Sequence, residues 1–232
     1  MLMSQFATLL ELNQTIVDCQ RCPRLVEYRQ RVAREKRRAY HDWDYWGRPV
    51  PGFGDPAAHL LIVGLAPGAH GSNRTGRMFT GDASGDFLYA ALYRAGFANQ
   101  PSSGQRDDGL TLHDCYITAV ARCSPPGNRP TRDELDNCRP YLEAELGLLA
   151  NAQVILALGK IAFDGCLAAL AQRGIQVPRP RPSFAHGVVY TFADPMALIT
   201  SYHPSQQNTN TGRLTVAMFD AVLTRIRDEL LD

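Results

Sequence analysis

Six cysteines stand at positions 19, 22, 115, 123, 138 and 166. Cys19-x2-Cys22 falls in a loop after one helical pattern, Cys123 at the end of a strand pattern, and Cys138 on the helix that follows. Four thiolates from two separate segments can close around one metal centre, with a tetrahedral zinc and an iron–sulfur cluster as the physical alternatives. Either centre would clip an N-terminal segment onto the core. No second redox motif accompanies the quartet, so it reads as a staple. Cys115 and Cys166 lie inside apolar strand and helix patterns and read as buried, inert thiols.

Two polar loops carry the remaining chemistry. Gly64-Leu65-Ala66-Pro67-Gly68-Ala69-His70-Gly71 is glycine-rich, but it has neither the Lys-Ser/Thr end of a phosphate loop nor the G-x-G-x-x-G pattern. Gly68 and Gly71 would let backbone amides approach a ligand closely. Arg77-Met78-Phe79-Thr80-Gly81-Asp82 follows, with Gly85-Asp86 opening a helix. Asp86 reads as a charge that complements the helix N-terminus. Asp82, flanked by glycine, reads as a turn residue or as a carboxylate that orients water. Tyr202-His203-Pro204-Ser205 leaves the last strand, and Pro204 fixes the chain direction after His203. A histidine there either serves the fold or donates a hydrogen bond to a developing oxyanion.

The elements that must position these loops alternate between short apolar strands and longer helices. Helical spacing covers residues 4–18, about 24–40, 86–97, about 131–150, 160–172 and 212–230, and the fourth opens with a capping box, Thr131 to Glu134. Strand runs are Leu60–Leu65, Cys115–Ala121, Val154–Leu158, Val188–Phe192 and Ala197–Tyr202. This alternation implies βαβ units and a mostly parallel sheet with helices on both faces. Ligands then sit beyond the carboxyl ends of the strands. One α/β domain over residues 1–232, with an N-terminal helical appendage over about 1–50, is the expected organisation.

Composition sets the outer bounds. With 232 residues, 45% hydrophobic and 20% charged, the chain is neither disordered nor of low complexity, and it can bury a real core. No apolar run approaches the length of a membrane span, and the first 19 residues lack the basic start of a signal peptide. A cytoplasmic monomer without membrane contact is expected. The net charge is only +1, but the basic set is 22 Arg against two Lys, Lys36 and Lys160. Arginine suits bidentate phosphate recognition, although a GC-rich genome also favours it.

Taken together, these residues resemble the uracil-DNA glycosylases of the iron–sulfur branch, most closely family 5. The matching pieces are Cys19-x2-Cys22, Gly64-Leu-Ala-Pro-Gly with His70-Gly-Ser-Asn-Arg-Thr75, and Gly76-Arg-Met-Phe-Thr-Gly-Asp82. Further on stand Arg122-Cys-Ser-Pro-Pro-Gly-Asn128, Cys138, His203-Pro-Ser with Gln-Asn208, and Gly212-Arg-Leu-Thr215. The resemblance spans about residues 19–215. It implies a three-layer α/β/α sandwich around a mainly parallel four-stranded sheet. It also implies a structural [4Fe–4S] cluster on Cys19, Cys22, Cys123 and Cys138, and hydrolysis of uracil from DNA to leave an abasic site. In this branch the activity can extend to hypoxanthine and xanthine.

Within that frame the site residues take roles. His203 would donate to the uracil O2 as charge develops there, and Asp82 would hold water beneath the sugar. Phe79 would stack on the flipped base, Asn128 would read its Watson–Crick edge, and Gly64, Leu65, Ala66, Gly68 and His70 would line the pocket. Arg74, Arg77, Arg129, Arg213 and the basic arm 29–38 would meet phosphates. The polar loop holding Ser205, Gln206, Gln207 and Asn208 would enter the minor groove. Other branches place a carboxylate or Asn in the first motif, where this chain has Leu65, Ala66 and Pro67. The family 4 pattern has an Asn before the third cysteine, where this chain has Ala119 and Ala121. Both departures favour family 5. Lys160 reads as ion-paired rather than nucleophilic, so no strand-cleaving lyase step is expected. A different class also accounts for the cysteines and arginines: a metal-stapled nucleic-acid-binding module without catalysis. That alternative leaves His203 and Asp82 without a task.

Overall fold

In the computed structural model, residues 6–192 and 196–231 are described. Helix α1 (Leu9–Val17) starts at the Thr8 cap, and α2 (Pro23–Glu35) has Pro23 at its first position, where no N–H is needed. The first helical expectation began at residue 4; Ser4 and Gln5 lie outside the described residues. The second ran to about residue 40, whereas α2 stops at Glu35 and a short 3-10 turn covers Arg38–Tyr40.

The core follows as β1 (Phe53–Gly54), β2 (Leu60–Gly64), α3 (Ser72–Thr75), α4 (Ala83–Arg94), β3 (Cys115–Ala119) and α5 (Arg132–Leu148). It continues with β4 (Val154–Leu158), α6 (Lys160–Gln172), β5 (Val189–Thr191), β6 (Ala197–Ser201), α7 (Gln206–Asn210) and α8 (Val216–Glu229). The sheet has six strands in the order β1-β3-β2-β4-β6-β5. The expected four-stranded sheet is therefore corrected. Its four parallel strands are β3, β2, β4 and β6, and antiparallel β1 and β5 extend the two edges.

All residues of the four parallel strands are buried, as a strand covered on both faces requires. Pleating sends Leu60 and Ile62 to one face, with Leu88, Leu92, Phe219 and Leu223 of α4 and α8. Leu61 and Val63 face the other way, onto Leu142, Leu146, Phe163 and Leu167 of α5 and α6. Helices on both faces give the expected three layers. Helix α1 adds Leu12 and Ile16 to the outer side of α5, beside Cys138 and Tyr141. Beneath α5 lies a buried ion pair, Arg122 with Glu145, and Thr118 donates to the same carboxylate at 2.8 Å. Among the described residues, no helix is long and apolar enough to cross a membrane.

The capping box is present in full. Thr131 Oγ1 accepts the Glu134 N–H at 3.3 Å, and Glu134 Oε2 accepts the Thr131 N–H at 2.7 Å. Removing the hydroxyl in Thr131→Ala should cost about 1 kcal/mol of stability. Urea unfolding would show this as a lower midpoint with an unchanged slope.

Candidate active site

Four parallel strands end on one edge, and their C-terminal loops meet there. Strand β2 ends at Gly64, where the space of the missing side chain is taken by another residue: a Cβ there would stand 2.8 Å from the Phe79 ring. Phe79 itself holds a left-handed backbone, φ 51°, which is costly for a bulky residue. It is held there because its carbonyl lies against Gly85, where a Cβ would come within 1.8 Å of the Phe79 oxygen. Only glycine admits that approach. Phe79 is 8% exposed, and backbone strain at a bulky residue is the kind that folds retain at functional sites.

The opposite wall is His203, two residues past β6. Its ring stacks on Phe79 with centroids 5.8 Å apart and planes 29° from parallel. Its carbonyl accepts two hydrogen bonds, from Ser205 N and from Asn208 Nδ2, each at 2.8 Å. Gly159, at the end of β4 with φ 92°, makes room for it: a Cβ there would lie 3.3 Å from that of His203. No described residue hydrogen-bonds the His203 ring nitrogens. Desolvation pulls its pKa down to about 4, so the imidazole is neutral at pH 7.

Asp82 caps α4. Its Oδ1 accepts the Gly85 N–H at 3.1 Å, and Oδ2 lies against Gly68 and Gly71, where added Cβ atoms would stand 2.7 and 2.0 Å away. Burial raises its pKa above the ordinary carboxylate value, and hydrogen bonds from Gly85 and Ser84 oppose the rise. The glycines of the first loop thus accommodate a carboxylate. Leu65 and Ala66 are half-buried in the same loop, and the Leu65 carbonyl accepts from Ala121 N at 3.0 Å. His70 faces the N-terminal segment, with Nδ1 3.0 Å from the Tyr45 hydroxyl. Burial first, then the charges of Arg37 and Arg74, lower its pKa. Asn128 is exposed on the loop after β3 with φ 57°.

Several assignments to DNA contact need correction. Arg74 is 3% exposed; it donates to the His70 and Gly81 carbonyls at 2.7 and 2.8 Å and lies between the Tyr40 and Trp43 rings. Arg77 is 4% exposed, and its Nη2 donates to both Asp108 carboxylate oxygens, each at 2.8 Å, and to Ser103 Oγ at 3.1 Å. Arg29 of the basic arm is buried too, against the carbonyls of Gly47 and Cys19. These three guanidiniums are enclosed by the fold and offer nothing to a phosphate. Asn208 is turned inward onto His203 and acts as a brace. The segment after Ser205 is the short helix α7, capped by Ser205, with Gln206 and Gln207 exposed. Arg129 and Arg213 are exposed, the latter over the Tyr202 ring. Lys160 pairs with Asp164 at 2.5 Å, as expected.

All six cysteines are free thiols. Cys115 and Cys166 are fully enclosed, and burial pushes both thiols far up. Cys19, Cys22, Cys123 and Cys138 converge where α1, α2 and α5 meet, near enough that Cys19 disfavours ionisation of the Cys22, Cys123 and Cys138 thiols. Arg122 N donates to Cys138 Sγ at 3.4 Å, and Asn137 Nδ2 to Cys22 Sγ at 3.6 Å. Among the described residues, no three His, Cys, Asp or Glu side chains are arranged to hold a single metal ion. One tetrahedral zinc would bring thiolates within about 3.8 Å of each other.

Gly159 opens the segment 159–163 beyond the third strand run, and a glycine directly after a buried strand signals a positive φ or a close approach. Tyr45 gave no such signal, because its partner His70 is distant in sequence; Asn73 stands in the motif from His70 to Thr75, but its bonds to Arg29 and Gly47 are not local.

Residues 51–227 match the profile of the uracil DNA glycosylase superfamily. A type-5 uracil-DNA glycosylase of Mycobacterium leprae is 54% identical over 213 residues, covering 91% of each chain. One from Thermus thermophilus is 52% identical over 210 residues, or 90% of this chain and 93% of that one. A type-4 uracil-DNA glycosylase of Pyrobaculum aerophilum is 30% identical over 198 residues, covering 85% and 83%. The higher identity to the type-5 proteins agrees with Ala119 and Ala121 before the third cysteine, and the chain belongs to the type-5 branch of the uracil-DNA glycosylase superfamily.

Proposed function

We propose that this protein removes uracil from DNA by hydrolysing its N-glycosidic bond, and that its range includes hypoxanthine and xanthine. The observation that carries the reading is the parallel pair Phe79 and His203, raised over Gly64 and Gly159 at the strand ends. A planar base flipped out of the duplex can stack on the Phe79 face and present O2 to a His203 N–H. Bond cleavage leaves positive charge on the sugar and negative charge on the departing base. A neutral imidazole donor stabilises the latter only as it develops, which lowers the barrier rather than merely strengthening binding. The Asp82 carboxylate orients water towards the sugar and offsets its charge.

Asn128 has an amide that can both donate to and accept from a base edge, and its exposed position suits a base entering from outside. Arg129, Arg213, Gln206 and Gln207 are the exposed groups for backbone contact, with Ser205 beside them. Lys160 is occupied by Asp164, which supports hydrolysis without a Schiff base or strand cleavage. Cys19, Cys22, Cys123 and Cys138 would hold a [4Fe–4S] cluster through four thiolates. When bound, that cluster supplies cross-links between the N-terminal helices and α5.

Excision from a labelled duplex with one uracil opposite guanine tests the reading. Abasic sites are expected from the wild type, without strand scission until alkali is added. Activity should fall steeply with added salt, because phosphate contacts release counterions. Iron-replete protein that yields no product from uracil, hypoxanthine or xanthine would overturn it and leave a nucleic-acid-binding module.

A further inference from the structure

The cysteine centre and the catalytic loop are joined by a buried hydrogen-bonded path. Arg29 is 3% exposed, an unusual burial for a guanidinium. Its Nη2 reaches the Cys19 carbonyl at 3.4 Å, and Nη1 reaches the Gly47 carbonyl at 2.5 Å. Its Nε is buried without a partner among the described residues, and its charge opposes the burial-driven rise of the Cys123 thiol. The guanidinium therefore sits against the cysteine centre.

The backbone of the same residue faces the other way. Its carbonyl accepts from Asn73 Nδ2 at 3.2 Å, and Asn73 is fully buried. Asn73 in turn holds the first loop: its N–H donates to the Gly68 carbonyl at 3.0 Å, and Nδ2 also reaches the Ala69 carbonyl at 3.4 Å. Gly47 closes the circuit, because its N–H donates to the Asn73 carbonyl at 3.0 Å. Gly68 and Gly71 are the two residues against which Asp82 rests. An unbroken chain of contacts thus runs from Cys19 through Arg29 and Asn73 to the seat of the Asp82 carboxylate.

We propose that Arg29 and Asn73 are positioning residues through which the filling of the four-cysteine centre orders the Gly68–Gly71 loop. The inference rests on the reading that these cysteines hold a metal group, and it makes that group more than a staple. Stripping the centre frees the Cys19 segment and one anchor of Arg29. The Asn73 bonds then lose their fixed base, and the loop under Asp82 loosens while the sheet stays folded. Loss of the group, for example under oxidants, would then lower activity before it unfolds the protein.

Hydrogen exchange on the full chain tests this, with metal content measured in each sample. In the wild type, stripping the metal with a chelator should speed exchange of amides at 73–75 at least tenfold. Amides of α8, on the opposite face of the sheet, should stay protected. Arg29→Gln should keep its metal yet show the same loop exchange, and stripping it should add less than twofold. On the uracil duplex, this variant should lose about tenfold in kcat with KM within twofold of wild type, and Arg29→Lys should recover part of the loss. Unchanged loop protection in stripped wild type would overturn the proposal, and so would equal deprotection of α8. If Arg29→Gln does not fold, Asn73→Ser carries the same expectations, and the stripped wild type needs no substitution. Exchange is read without DNA, so absence of excision by the wild type would sink the glycosylase reading while leaving this coupling standing.

Discussion

Replacing His203 with alanine is expected to slow uracil release by about a hundredfold to a thousandfold, the usual loss when one preorganised donor to a developing anion is removed. The size follows from what the residue offers. Its ring is held against Phe79, its carbonyl is fixed by Ser205 and Asn208, and its ring nitrogens have no described partner. The donor therefore needs no reorganisation when charge arrives. His203→Phe separates the donor from the ring stack, because it retains an aromatic face against Phe79 and has no N–H. It should lose as much activity as the alanine variant; near-normal turnover in His203→Phe would refute the donor role. Single-turnover rates on the uracil duplex give both numbers.

The sign of the pH effect is also fixed. Because burial lowers the native pKa from 6.5 to about 4, the ring stays neutral across that interval while the unfolded chain takes up a proton. Stability contributed by this group is therefore lost on acidification from about pH 6.5 to about pH 4. The variants should flatten that part of the stability profile.

The sheet was legible because strands covered on both faces must be apolar throughout, and Leu60–Gly64 and Val154–Leu158 can be nothing else. Strand β1 was not legible. Its two residues lie in a Gly/Pro-rich run, and pairing with Tyr116 and Ile117 is what makes them a strand. The same asymmetry runs through the site. Phe79 and His203 could be picked out because an aromatic amid glycines and a His-Pro after a strand are local signals. Arg74 and Arg77 looked like phosphate ligands by residue type. Whether a guanidinium faces DNA or the interior is set by partners, here Tyr40, Trp43 and Asp108, each some 30 residues away. Asn208 is spent on a local partner instead, the His203 carbonyl five residues back. Residue types announce what chemistry is available; tertiary partners decide which of it is already spent.

Asp82 carries an observed helix-capping role and the proposed catalytic one, and a single substitution can separate them. As the cap of α4 it needs only an oxygen to accept the Gly85 N–H, which asparagine supplies as well as aspartate. As the group that orients water and offsets a cationic sugar it needs the charge. Asp82→Asn should therefore leave the melting temperature near wild type and lower kcat by about a hundredfold or more, the range for loss of a positioned base. Asp82→Ala should lose the same activity and, in addition, about 1 kcal/mol of stability through the missing cap. Desolvation holds the Asp82 pKa above the ordinary carboxylate value, so the carboxylate is protonated earlier on acidification than an exposed one. The wild-type rate should accordingly fall, as pH drops, at a point above the usual carboxylate range. That limb should vanish from the residual activity of Asp82→Asn. A rate in the asparagine variant equal to wild type would confine Asp82 to the cap and move water activation elsewhere in the loop. The half-buried His70, bonded to Tyr45, would then be the titratable side chain in that loop to examine.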